Sequence, residues 1–132
     1  MKIVADTNTF LAVALCEPEK EALTLAVAGH HLVAPEVLPF EIGNALTAMV
    51  KKKALEPKYC RDAWDAVASI PVELCQTDMA AALDIAISFN TYAYDAYFLE
   101  CALRFRAPLL TLDRRMKRIA SDLRIEIVEL PK

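Results

Sequence analysis

The chain has 132 residues, 56% of them hydrophobic and 25% charged, with a formal net charge of −3. This composition excludes a disordered chain, and the length suits one domain over residues 1–132 around a single core. No apolar run is long enough to cross a bilayer, and Asp6 interrupts the first apolar stretch, so the expectation is a cytoplasmic protein with no membrane segment and no secretory signal.

In chain order, residues 3–5 form a short apolar strand, followed at once by Asp6, Thr7, Asn8 and Thr9. Helical patterns follow over 9–16 and 19–28, separated by Pro18, and a second strand is predicted over 31–34. The long helix 36–53 places Leu38, Ile42, Ala45, Leu46 and Met49 on one face, with Pro39 near its start, where proline is tolerated. A shorter helix spans 57–69 and a third strand 72–74. Helices 77–89 and 92–106 are broken near Asn90, and a fourth strand at 108–112 leads to helix 116–122 and a fifth strand at 125–128. Strands separated by helices predict an α/β fold, a three-layer α/β/α sandwich on a parallel sheet, which binds ligands beyond the carboxyl ends of its strands.

Several chemistries are excluded by residues the chain lacks. Gly29 and Gly43 are its only glycines, too few for a dinucleotide fingerprint or a phosphate-cradling loop. No serine stands in a nucleophile elbow, and His30 and His31, adjacent on a strand start, point apart and do not share a metal. Cys16, Cys60, Cys75 and Cys101 are far apart without a C-x-x-C pair and read as small residues in or near the core. Carboxylates remain.

Four acids are oddly placed. Asp6 and Asp113 each follow a strand, where an acid also serves as a helix N-cap, and Thr111 shares the strand face of Asp113. Glu41 and Asn44 lie on one side of a largely apolar helix, and Asp95 heads the apolar stripe Phe98, Leu99, Ala102. Strand ends of a parallel sheet share one edge, so Asp6 and Asp113 belong together, with Glu41 near the same edge. Periodicity alone leaves Asp95 at either end of its helix. Carboxylates brought to about 5 Å repel by roughly 3 kcal/mol at an effective dielectric of about 20, so a converging cluster must protonate, separate or bind a cation. An all-oxygen donor set suits Mg²⁺ or Mn²⁺, the usual machinery for cutting phosphodiesters. Among the basic residues, Arg114, Arg115, Lys117 and Arg118 stand out, because cations are disfavoured at the start of a helix.

The segments IVADTN, FEIGNAL, YDAYFLECAL and LLTLDRRM, in this order across essentially the whole chain, resemble those of the PIN-domain nucleases, in particular VapC-type toxins of toxin–antitoxin pairs. The resemblance implies a five-stranded parallel sheet of order 3-2-1-4-5 with Asp6, Glu41, Asp95 and Asp113 in one catalytic pocket at its carboxyl edge. It implies that Asp6 and Asp95 are the principal metal ligands, and that Asp113 and Glu41 complete the cluster directly, through water, or by orienting the attacking water. Asn8 and Thr111 match supporting polar positions, and Asn44 stands beside Glu41. Where some relatives carry a further acid, Arg114, Arg115 and Met116 follow Asp113, so the resemblance leaves open whether the site takes one metal ion or two. The implied activity is metal-dependent hydrolysis of RNA, with Arg114, Arg115, Lys117 and Arg118 on the RNA backbone, a cognate antitoxin as partner and a homodimer formed by exposed apolar residues of helices 36–53 and 57–69. Two other readings stand beside it: a PIN nuclease of RNA processing without an antitoxin, and a non-catalytic domain whose acids bind a basic partner. A phosphoryl-transfer receiver fits poorly, because Thr7 and Asn8, not a second acid, follow Asp6.

Overall fold

The computed structural model describes residues 1–131; Lys132, the last residue of the expected domain, lies outside them. The elements run β1 (Lys2–Ala5), α1 (Thr7–Ala14), α2 (Lys20–Val27), β2 (His31–Pro35), α3 (Leu38–Lys51), α4 (Cys60–Ala68), β3 (Glu73–Cys75), α5 (Met79–Ser88), α6 (Ala93–Phe105), β4 (Leu109–Leu110) and α7 (Arg114–Asp122). A short 3₁₀ turn, Pro57–Tyr59, leads into α4.

The sheet is parallel throughout, in the order β3-β2-β1-β4. β1 is central, with Val4 opposite Val33 on one side and Ala5 opposite Leu110 on the other. Its three apolar residues Ile3, Val4 and Ala5 are buried, as a strand covered on both faces requires. The expected fifth strand does not form. Among the described residues its segment makes one parallel bridge, Leu109 to Ile127, supported by hydrogen bonds from Leu109 N to Glu126 O and from Val128 N to Leu109 O. The sheet therefore has four strands, not five, although the bridge lies beside β4, where a fifth strand would be. Only Ile125 of that segment is buried, and Glu126 and Glu129 are exposed, so little burial rewards extending the ladder, which Pro131 also could not continue as a donor.

Helices α1, α2, α3 and α4 pack as one group and α5 and α6 as another, with α6 against β1 and β2. The α3 face is confirmed, with Leu38, Ile42 and Leu46 buried. On α4, Ala63 and Val67 are buried while Trp64 stays 39% exposed. Cys101 is buried in α6, whereas Cys16 departs from expectation: it is exposed, with φ +53° at the end of α1. No disulfide forms; all four thiols are free.

Helix α7 begins two residues before its expected start because Asp113 caps it. Asp113 Oδ1 accepts from the N–H groups of Arg115 at 2.8 Å and Met116 at 3.0 Å. Helix α6 is anchored by Glu100, only 4% exposed, which accepts from Arg104 Nε at 2.8 Å and from Asp78 N at 3.0 Å. The Arg104 guanidinium also donates to the Gln76 carbonyl, which ties α6 to the chain entering α5.

Candidate functional site

The direction of α6 follows from its exit. Phe105 ends the helix, Arg106 closes it with φ +51°, and three residues later the chain is in β4. A helix joined so tightly to a strand runs antiparallel to it, so the start of α6 lies at the carboxyl edge of the sheet. Asp95, in the first turn of α6, is thereby brought to the strand-end acids.

Asp6, Glu41, Asp95 and Asp113 line one cavity of about 140 Å³, together with Asn8, Asn44 and Thr7. Phe98 and Met116 form its apolar wall. The acids come from four separate segments: the end of β1, the first turn of α3, the first turn of α6 and the residue before α7.

Asp6 is both a helix cap and a wall of this cavity. It is 6% exposed, and its Oδ1 accepts from Thr9 N at 3.1 Å and Thr9 Oγ1 at 2.8 Å. Its Oδ2 accepts from Thr111 Oγ1. Burial raises the Asp6 pKa, and the charge of Asp113 adds to this, against the lowering effect of the Thr111 and Thr9 hydrogen bonds. Asp95 is raised by burial and by Asp113, while Thr91, donating to Oδ2 at 3.1 Å, and nearby Arg115 oppose the shift. Glu41 is raised as well: burial first, then the charges of Asp95 and Asp6, push it up to about 7. Its Oε1 is buried with no hydrogen-bond partner among the described residues, and so is Thr7 Oγ1. The Thr7 hydroxyl is close enough to hold the Glu41 pKa down somewhat, but not placed to make a well-formed hydrogen bond.

Asp6 is buried, Glu41 and Asp95 half-buried and Asp113 exposed, and acids that destabilise one another beside orphaned oxygen atoms make a site with an unmet demand for positive charge. The donor set is entirely oxygen, the chemistry of Mg²⁺ or Mn²⁺. Among the described residues, no three His, Cys, Asp or Glu side chains are placed to hold one ion.

The four basic residues of α7 divide. Arg114 and Arg118 are exposed and lie one helical turn apart, on the side away from buried Met116, Ile119 and Ala120. Lys117 is half-buried, and Arg115 donates to the Asn90 carbonyl. Sequence reasoning missed Thr7, Thr9 and Thr91. Thr9 had a legible signal, since an Asp cap hydrogen-bonds the third residue beyond it.

The arrangement defines a class first: a parallel α/β protein with a carboxylate-lined cavity at the carboxyl edge of its sheet. The sequence profile of the PIN domain then matches residues 3–122, and the chain belongs to the PIN domain family, whose members are generally nucleases that use divalent metal ions. No curated protein matches the chain in sequence. Among solved structures, the fold is similar to PAE2754 from Pyrobaculum aerophilum (TM-score 0.69, 19% identity, 90% of this chain and 87% of that one). It is also similar to VapBC2 from Rickettsia felis, solved bound to a DNA fragment from its promoter (TM-score 0.67, 14% identity, 99% and 100%). FitAcB from Neisseria gonorrhoeae is a third such structure (TM-score 0.55, 16% identity, 96% of each chain).

Proposed function

We propose that this PIN domain is a metal-dependent endoribonuclease, the toxin of a VapBC-type pair, acting in the cytoplasm as one unit over residues 1–132. The observation that carries the reading is the convergence of four acids from four segments on one cavity, with raised pKa values at Asp6, Glu41 and Asp95. Asp6 and Asp95 would hold a Mg²⁺ or Mn²⁺ ion, with Asp113 completing the set through water. Bound there, the ion supplies Lewis-acid stabilisation of phosphate charge and activation of water. Glu41 Oε1, buried and unpartnered, is the acceptor that orients the attacking water. Thr111 and Thr9 hold the Asp6 carboxylate in one orientation, and Asn8 and Asn44 offer amides at the cavity wall. Arg114 and Arg118 fix the RNA backbone beside a site that would otherwise repel it, with Lys117 and Arg115 flanking them.

The likeness to VapBC2 and FitAcB supports an antitoxin as partner. Phe40 on α3, Tyr59 and Trp64 beside and on α4, and Met79, Leu83 and Ile87 along α5 are exposed, which supports a homodimer, testable by light scattering. The decisive experiment incubates purified, antitoxin-free protein with a mixed RNA pool and Mg²⁺ or Mn²⁺. Cleavage abolished by EDTA and by Asp6→Asn in a folded protein supports the reading. Cleavage that persists in Asp6→Asn sinks it.

A further inference from the structure

The N-cap of α6 is held by a residue that does not cap. Tyr92 stands there with extended backbone and makes no side-chain hydrogen bond to the helix start, where Ser, Thr, Asp or Asn would satisfy a free N–H. Its ring is 79% exposed. Neither capping nor packing therefore accounts for a tyrosine at this position. Tyr94, two residues on, differs, because its ring meets Tyr97 edge-on with centroids 5.8 Å apart.

Three observations tie Tyr92 to the acidic cavity. Asp95 is the third residue of α6, and at a helix start the N-cap and third positions are neighbours, each within reach of the other's backbone. The chain on either side of the ring is pinned: Tyr92 O accepts from Ala96 N at 3.2 Å, Thr91 N donates to Ala86 O at 3.0 Å, and Thr91 Oγ1 donates to Asp95 Oδ2 at 3.1 Å. Arg115 donates to the Asn90 carbonyl, which brings the basic start of α7 to the chain two residues before Tyr92. An exposed ring on a fixed backbone thus lies beside a cavity acid and close to the cations of α7.

Single-stranded RNA is held by two kinds of group, cations on its phosphates and aromatic rings on the faces of its bases. The cavity and α7 supply only the first kind. A tyrosine ring offers a face on which any base stacks, while its phenol oxygen stays in water. Because its mount is already ordered, little freedom is lost when a base settles on it.

We propose that Tyr92 is the base-stacking residue of the site, holding one unpaired RNA base next to the phosphate at the cavity. The inference rests on the nuclease reading and adds to it a residue that touches the substrate and neither the metal nor the acids.

The test measures affinity for a fluorescein-labelled single-stranded RNA of mixed sequence, by anisotropy, in the Asp6→Asn background. Cleavage of the mixed RNA pool is followed in parallel in the parent protein. Tyr92→Ala should weaken binding about 5- to 150-fold, the range for one lost base stack. Tyr92→Phe should bind as the unsubstituted background does. Tyr92→Leu should behave like Tyr92→Ala, since leucine restores apolar area but no ring face. The slope of log affinity against log salt should stay constant across the series, because no charge is removed.

Tyr92→Ala binding as tightly as its background overturns the proposal. So does Tyr92→Leu matching Tyr92→Phe, or a lower salt slope in Tyr92→Ala. A smaller particle in light scattering of Tyr92→Ala also overturns it, by making the ring a contact with a second copy of the chain. If the parent cuts no RNA, the nuclease reading fails and the inference falls with it. If the parent cuts and Tyr92→Ala cuts equally well, the inference alone fails.

Discussion

One hydroxyl joins the two strand-end acids: Thr111 Oγ1 donates to Asp6 Oδ2 and accepts from the Asp113 N–H at 3.1 Å. Thr111 is 1% exposed, so its bond to Asp6 is made away from water, where a lost partner is expensive. The two carboxylates that limit the cavity on the β1 and β4 sides are thus held in register by a residue that is not itself an acid.

Thr111→Val keeps the shape and removes both bonds. The loss should destabilise the fold by roughly 1–3 kcal/mol, because the Asp113 N–H and Asp6 Oδ2 are left underpaired. With its largest hydrogen-bond contribution gone, Asp6 should titrate higher still. Urea denaturation and a carboxylate NMR titration of the same variant check both expectations.

Asp6 serves as a cap and as a cavity acid, and two substitutions separate these roles. Asparagine caps as well as aspartate, so Asp6→Asn should retain the start of α1 while losing metal binding. Metal-free Asp6→Asn should be at least as stable as the parent at neutral pH, since it removes a carboxylate whose charged form burial disfavours. Asp6→Ala should lose the cap in addition, at a cost of about 1 kcal/mol. Calorimetric melting with and without Mn²⁺ distinguishes the three proteins.

Glu41 makes the metal-free protein sensitive to pH. Its pKa rises from 4.5 to about 7 on folding, so the folded state binds the extra proton and stability falls as pH rises. The penalty is absent below about 4.5, accrues between 4.5 and 7, and is complete above 7. Asp6 and Asp95, also raised, act in the same direction. Denaturation midpoints of the metal-free protein should therefore decline across this range. Glu41→Gln should flatten the decline, and so should saturating Mn²⁺, by restoring the charged form.

On α7, Arg114 and Arg118 face outward and, among the described residues, make no ion pair, whereas Arg115 is engaged with Asn90. Arg114→Ala and Arg118→Ala should each weaken RNA binding and lower the slope of log affinity against log salt by about 0.7. Arg115→Ala should change the slope less and raise the Asp95 pKa, since Arg115 opposes that rise. Affinities of a cleavage-dead Asp95→Asn background across a salt series report the slopes; the pKa is read in a protein that retains Asp95.

Local patterns were enough to place the helices within a few residues and to mark Asp6 and Asp113 as strand-end acids, because strand and cap chemistry are properties of neighbouring residues. Glu41 was visible as an acid on an apolar helix. Asp95 was the hard case. Yet the short passage from Phe105 into β4 already required α6 to run against the strand, so its placement was latent in a loop length, not in periodicity.

What the chain order could not reveal was whatever depends on partners distant in sequence. Thr111 and Asp6 are 105 residues apart, and only the pairing of β1 with β4 makes them hydrogen-bonded neighbours. The raised pKa of Glu41 requires Asp95 and Asp6 to share its cavity, and the orphaned Thr7 hydroxyl follows from the same burial. The fifth strand failed for a similar reason. Residues 125–128 have an apolar pattern, but a strand at the sheet edge forms only where the neighbouring structure rewards its burial, and here it supports one bridge. Sequence determined the local elements and the identity of the acids; tertiary structure decided which of them meet, because burial and charge repulsion act through space.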